Sequence, residues 1–439
     1  MKLKSAVLIC FVVGFGQLCP ASGACETALG EGREASRSLL LVPFANPLRG
    51  YEANTLLWFS AAELGCAGIQ KLGAERHLES SLAGRVVLLS LSGYLTNAAS
   101  YYSHEIAHEF DVVRGTPHLW IDLSDWSHLV PRLVLNHWTD YYTDQEIMSI
   151  HDTGTAGLEV VRRQTRISAA GLIQNELDAQ LVSRLSACDG RMMPQRAVSL
   201  IANHVYEFSY NLLNGHDQID LWPQGRQVVI HDNDIVGYAG HMQELGIAFS
   251  RDDWLLSSAL AFFASASTWN SVRAVARYLR GGDEGVPNIS FKLPNGSSVS
   301  PPDFFLFPTI RGLFLQSELH VAGVFREDDG LRVDVGTGLD SFGANRTGYV
   351  DLIRVGGAYD ALGISIASVR FDLVPFGYCD VTRALDYTGY CTGLTVNAPL
   401  GRRACLSARI ESSEDDMLSQ TILNKEEGMT ILMVLGVGF

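Results

Sequence analysis

The chain has 439 residues, 47% hydrophobic and 18% charged, with a formal net charge of −15. That length suffices for two or three domains with real cores. The acidic balance, with no basic stripe and no aromatic platform beside it, excludes nucleic acid as the expected partner.

The first stretch, Met1 to about Ala24, reads as a secretory signal. Lys2 and Lys4 give a basic start, Ala6 to Leu18 is apolar, and Ala21 to Ala24 offers small residues for cleavage. The apolar run is short for a membrane span. Processing would remove Cys10 and Cys19 from the eight cysteines and leave Cys25, Cys66, Cys188, Cys379, Cys391 and Cys405. An even number in an exported chain predicts disulfides, with the pairing left open.

Residues 25–282 read as a mainly helical domain. Helical runs are predicted at Asn54–Leu64, Leu158–Ala187 and Asp252–Leu279, the last opened by Ser250 as N-cap with Asp252 and Asp253 in the first turn. Val86 to Ser103 carries no charge and is expected to be buried, although an integral helical arrangement stays open.

That uncharged run leads into His104-Glu105-Ile106-Ala107-His108. Residues four apart on a helix share a face, so both histidines can address one metal ion. Glu105 projects beside it, where a carboxylate can take a proton from water. Two imidazoles are not enough for a catalytic zinc, and the best third candidate is Glu176, within Glu176-Leu-Asp-Ala179.

The pair of motifs resembles the gluzincin metallopeptidases, especially the CAAX-type prenyl endopeptidases and their bacterial quality-control relatives. There, a His-Glu-x-x-His helix is followed by a Glu-x-x-Ala-Asp helix. The match covers roughly residues 84 to 187, and Gln180 stands where that family has Asp. The resemblance implies Zn2+ held by His104, His108 and Glu176, Glu105 as catalytic base, and a protein or peptide substrate. Envelope proteins that have misfolded are the substrates it suggests.

Between the motif helices lies a His- and aromatic-rich segment, Arg114 to Asp152, placed where a cleft or lid would be. After the second motif come His204, Tyr206 and Tyr210, any of which could donate a hydrogen bond to an oxyanion; spacing does not choose among them.

Around Gly281 the composition changes, and residues 283–303 read as a linker. Beyond it, alternation by two predicts strands at Gly312–Phe325, Leu331–Leu339, Tyr349–Gly357, Leu362–Leu373, Thr392–Ala398, Ala404–Glu411, Met417–Leu423 and Met429–Phe439. A further strand near Phe304–Phe307 would break the even count. The terminal strand, ending on Phe439, resembles the closing strand of bacterial outer-membrane barrels. Residues 304–439 are therefore expected to form an antiparallel β-barrel of about eight strands, the last paired with the first; a soluble sandwich is the alternative.

The expectation is thus an α+β multidomain chain: a helical gluzincin-like zinc peptidase domain, then a barrel in the outer membrane, with the helical part facing the periplasm. The other reading is a non-catalytic barrel whose helical part is an adaptor or plug.

Overall fold

The structure is a computed structural model. It describes residues 39–45, 50–112, 158–212, 217–221, 227–231, 233–244, 246–247, 249–281, 285–309, 312–322, and, between 330 and 438, the strands named below. The signal-like stretch, the segment 114–152 and the strand expected at Met417–Leu423 lie outside the described residues.

Seven α-helices are described: α1 (Gly50–Glu75), α2 (Leu82–Val112), α3 (Leu158–Cys188), α4 (Pro194–Leu212), α5 (Asp234–Glu244), α6 (Arg251–Ala264) and α7 (Ala266–Leu279). α3 runs through the middle, packing on α2, α4, α5 and α1. Its small residues Ala169, Ala170 and Ala179 share one core with Tyr238, Trp254, Phe305 and Phe314. A second core gathers Leu56, Val182, Leu185, Leu200 and Ala274. No described helix is long and apolar enough to cross a membrane.

The helix expected over Asp252–Leu279 is two helices. Ser250 and Asp253 form a reciprocal capping box at the start of α6. The chain then breaks at Ser265, whose backbone is extended (φ −71°, ψ 130°). The break is held from outside. The Ser265 hydroxyl accepts from Phe304 N, while Asp303 Oδ1 accepts from Ser267 N at 2.7 Å in the first turn of α7. A strand thus supplies the cap for which the sequence window offered no local signal.

The uncharged run Val86–Ser103 is buried on one side only. Leu88, Ser92, Thr96 and Ser103 face inward, whereas Val86, Val87, Leu91 and Tyr94 are exposed. Burial of the whole run, expected from its lack of charge, gives way to the ordinary geometry of a helix packed on one face.

Short strands follow in chain order: β1 (Leu39–Ala45), β2 (Arg191–Met192), β3 (Asp217–Leu221), β4 (Gln227–His231), β5 (Val286–Pro287), β6 (Phe291–Lys292) and β7 (Ser298–Val299). Next come β8 (Asp303–Thr309), β9 (Gly312–Ala322), β10 (Gly330–Leu339), β11 (Gly348–Ala358), β12 (Asp360–Ala361), β13 (Ile364–Ile366), β14 (Phe371–Leu373), β15 (Tyr390–Pro399), β16 (Ala404–Glu414) and β17 (Gly428–Gly438).

These strands do not close into a barrel. Most of them form two antiparallel sheets, one ordered β1-β17-β16-β15-β13-β12 and the other β14-β11-β10-β9-β7-β6 with β8 also on β9, while β2 pairs with β5 and β3 with β4. The terminal strand was expected to pair with Gly312–Phe325; instead β17 takes β1, with Leu39 opposite Gly438 and Ala45 opposite Leu432. β9 is occupied by β8, Asp303 opposite Glu318.

Two physical reasons separate this from the predicted eight-stranded barrel. A strand from the N-terminal part satisfies the edge of β17 that closure needed. The β8–β9 hairpin meanwhile belongs to the helical core, where Phe305, Phe307, Leu313 and Phe314 are buried on successive or alternate positions. A strand with an outward lipid-facing side would leave every second residue exposed to lipid.

Candidate metal centre

The site is built where α2, α3 and α5 meet. His104 and His108 lie one turn apart on α2, both 1% exposed. Their rings are 4.9 Å apart between centroids, at 73°. α2 approaches α3 closely because position 171 is glycine: a Cβ there would stand 2.4 Å from the His104 ring.

The third group is Asp234, at the first position of α5. Asn233 caps that helix, its side-chain oxygen accepting from Ile235 N at 3.0 Å and from Val236 N at 3.3 Å. The cap and the helix dipole both favour a carboxylate in the first turn. Asp234 Oδ2 lies 2.9 Å from His104 Nε2 and 3.4 Å from His108 Nε2. Burial alone would raise the Asp234 carboxyl. The charge of His108 and hydrogen bonds from both histidines outweigh it and hold the group well below the usual carboxylate range.

One ligand atom from each of His104, His108 and Asp234 lies within 4.8 Å of the others, and this group could hold a metal ion. Ligands about 2.0–2.2 Å from one ion stand roughly 3–4 Å apart, close to the 2.9 and 3.4 Å that separate Asp234 from the two histidines. The donor chemistry fits too. His108 Nδ1 lies 2.7 Å from the carbonyl oxygen of Ile167. A carbonyl only accepts, so Nδ1–H donates and Nε2 is left to face the carboxylate. A cation belongs between the two, either the proton of a charged ring donating to Asp234 or a metal ion. Fixing a ligating histidine through a backbone carbonyl is a common supporting arrangement at metal sites.

Glu105 lies on α2 between the two histidines in sequence; its side chain falls outside the described residues. Glu176 is buried, but it is not in the group of three. Its Oε2 accepts from Leu306 N at 3.1 Å, and its Oε1 lies 3.4 Å from His204 Nδ1. At 3.6 residues per turn, five residues from Gly171 to Glu176 turn the side chain by about 140° from the face against His104. The face that does meet α1 and α2 carries Gln174 and Asp178. Asn54 Nδ2 donates to Ser103 O at 2.7 Å and to Gln174 Oε1 at 3.0 Å. Gln174 Nε2 donates to Asp178 Oδ1 at 3.1 Å. Burial pushes the Asp178 carboxyl up to about 7, against hydrogen bonds from Thr55, Gln174 and Ser103.

Of the three oxyanion candidates, Tyr206 is the one whose ring stands against His104, at 5.4 Å between centroids. His204 is held between Phe262 and Phe305, each 6.1 Å away. The Tyr210 side chain falls outside the described residues. The residue that sequence reasoning missed is Asp234. Its local signal was the run His231-Asp-Asn-Asp234 leading into a short apolar helix, an N-cap pattern with an acid in the first turn. Cys66 is a free, buried thiol and takes no part in a disulfide.

No family model, no curated protein and no solved structure matches the chain.

Proposed function

We propose that the chain is a zinc-dependent peptidase whose metal is held by His104, His108 and Asp234. The observation that carries this reading is a group of three buried side chains that could hold a metal ion, His104 and His108 from the helix that also bears Glu105 and Asp234 from α5. A buried set of two imidazoles and one carboxylate suits zinc and leaves a fourth position open, the pattern of catalytic rather than structural sites. Zinc held by these residues would supply Lewis acidity towards water and a carbonyl. Glu105, next to His104 in sequence, is assigned as the general base that takes a proton from water and returns it to the leaving amine. Ile167 fixes the tautomer of His108 through its carbonyl, and Gly171 gives the His104 ring its room. Tyr206 offers a phenol beside His104 to donate to the developing oxyanion. The resemblance to gluzincins supports the peptide-bond assignment, with Asp234 in place of the glutamate that the resemblance implied.

The test is metal analysis of the purified protein together with hydrolysis of an unfolded protein substrate such as casein. Glu105→Gln is expected to keep its metal and lose roughly 10²–10⁴-fold in rate, the usual worth of a positioned base. Full activity in Glu105→Gln would remove the assigned base. Bound metal without turnover of any substrate would make the centre structural.

A further inference from the structure

The corner between α6 and α7 carries a surface that the metal centre does not use. On α6, Leu256, Leu260 and Phe263 recur at four- and three-residue spacing and so share one face. Leu256 is 62% exposed and Phe263 58%. Trp269 of α7 is 48% exposed, and its indole N–H donates to Phe263 O at 3.0 Å, so the two apolar stripes meet at the corner. Large side chains left so exposed and contiguous on a soluble face mark an interaction surface.

The charge beside them narrows the occupant. Trp269, Arg273 and Arg280 follow at spacings that keep them on one stripe of α7, with Arg277 next to it. All three arginines are exposed. Among the described residues, none of the three makes an ion pair; Arg273 donates to Asn270 and to the Pro287 carbonyl. The acids of this corner, Asp252 and Asp253, sit at the far end of α6, about 16 Å from Phe263 along the axis. Asp283 and Glu284 lie outside the described residues. A protein of net charge −15 thus sets a basic row directly behind an aromatic and aliphatic tip.

We propose that this corner docks on an anionic lipid surface. Leu256, Leu260, Phe263 and Trp269 enter the headgroup–acyl boundary, and Arg273, Arg277 and Arg280 pair with the phosphates. The depth fits: from Trp269 to Arg280 α7 rises about 16 Å, so an inclined helix can bury its first turn some 5–10 Å and keep its last turn at the headgroups. Tryptophan at the boundary and arginine above it are the side chains whose apolar bodies and polar ends suit those depths.

The experiment is flotation of the full-length protein with vesicles of phosphatidylcholine mixed with phosphatidylglycerol, and with phosphatidylcholine alone. Binding is expected to the mixed vesicles and to fall as salt is raised. Each of Arg273→Gln, Arg277→Gln and Arg280→Gln should weaken it roughly fivefold. Phe263→Glu should abolish it; the position is exposed, and circular dichroism checks that the helices remain. As a measurement on the unmodified surface, brominated lipid should quench tryptophan fluorescence, and Trp269→Phe should lose most of that quenching. The proposal is overturned by failure to float with the mixed vesicles, or by equal flotation of Phe263→Glu. It is equally overturned if the face instead holds a second copy, seen as a dimer in solution that Phe263→Glu dissolves without any lipid binding.

Discussion

Two buried histidine–carboxylate clusters lie against α3, made from the same residue types and serving different ends. In one, Asp234 faces the Nε2 atoms of His104 and His108, and the outer nitrogen of His108 is fixed by a backbone carbonyl. In the other, Glu176 divides its oxygens between His204 and the amide of Leu306, and the His204 ring is packed among Phe262 and Phe305. The carboxylate of the second cluster is a tie between helix and strand. Together with Asp303, which reaches from β8 back to Ser267 N, it stitches β8 to the helices. The carboxylate of the first has two imidazole nitrogens in front of it. Residue type does not separate a group that could hold a metal ion from a structural tie; what each oxygen faces does.

The largest expected difference between the two is in metal content. Asp234→Ala and His108→Ala should each lose bound metal when the purified proteins are assayed. The fall in affinity should exceed the 10–100-fold typical of removing a mere supporting partner. Glu176→Ala should retain the metal. Retention in Asp234→Ala with loss in Glu176→Ala would reverse the assignment of the two clusters.

Stability should show the opposite order. Glu176→Ala removes the acceptor of a buried amide, leaves His204 without its acid and opens a cavity, so urea unfolding should show a loss of about 2–4 kcal/mol. The alanine variant at the exposed Asp252 should change stability by less than about 0.5 kcal/mol. An equally small loss in Glu176→Ala would show that the seam at β8 is not held by this tie.

Much of this was legible in the chain, and the failures have physical causes. His104 and His108 were readable because four-residue spacing on a helix is local geometry, and Ser250 with Asp253 was readable for the same reason. Most predicted strands fall where the structure has them: Leu331–Leu339 lies within β10, and Thr392–Ala398 within β15. Pairing was not readable, because nothing in alternation says which strand takes which edge. The edge of β17 went to Leu39–Ala45, more than 380 residues away in sequence. The third member of the group that could hold a metal ion was not readable either. Glu176 sat in a motif, but its helical phase, fixed by Gly171 against His104, turns it away. Asp234 carries no motif beyond its cap, and only the packing of α5 on α3 brings it to the histidines.

Within the β8 seam, Asp303 gives a pH-dependent test that the metal cluster does not share. Burial raises its carboxyl above the ordinary range, against hydrogen bonds from Ser183 and Ser267. For an acid whose folded value is raised, the unfolded chain releases its proton first, so the folded state binds more protons between the two values. Stability contributed by this group is therefore full below the unfolded carboxylate value and declines as pH rises above it. Asp303→Asn, which still accepts from Ser267 N, should flatten that decline in urea titrations of the metal-free protein. An unchanged slope would place the titration elsewhere.

The smallest effect concerns Cys66, which touches neither cluster and so reports whether changes at the metal centre stay local. Its thiol sits between α1 and α2, directed at the carbonyl of Ser92 at 3.8 Å. Burial pushes it up to about 11, opposed by the hydrogen bond to Ser92 and helped by the charge of Glu63. Thiolate is the reactive form, so raising the value from 9.0 to about 11 lowers the reactive fraction at pH 8 roughly a hundredfold before any shielding by packing. Native protein treated with iodoacetamide should therefore leave the Cys66 peptide unmodified by mass spectrometry, and urea should expose it. The same protection is expected in Asp234→Ala, because α1 and α2 are held through Gly65 against Leu95 and Gly73 against Leu88, away from the ligands. Rapid labelling of Cys66 in Asp234→Ala, with the native protein still protected, would mean that the metal cluster holds the α1–α2 pair together. The first cluster would then also be a tie.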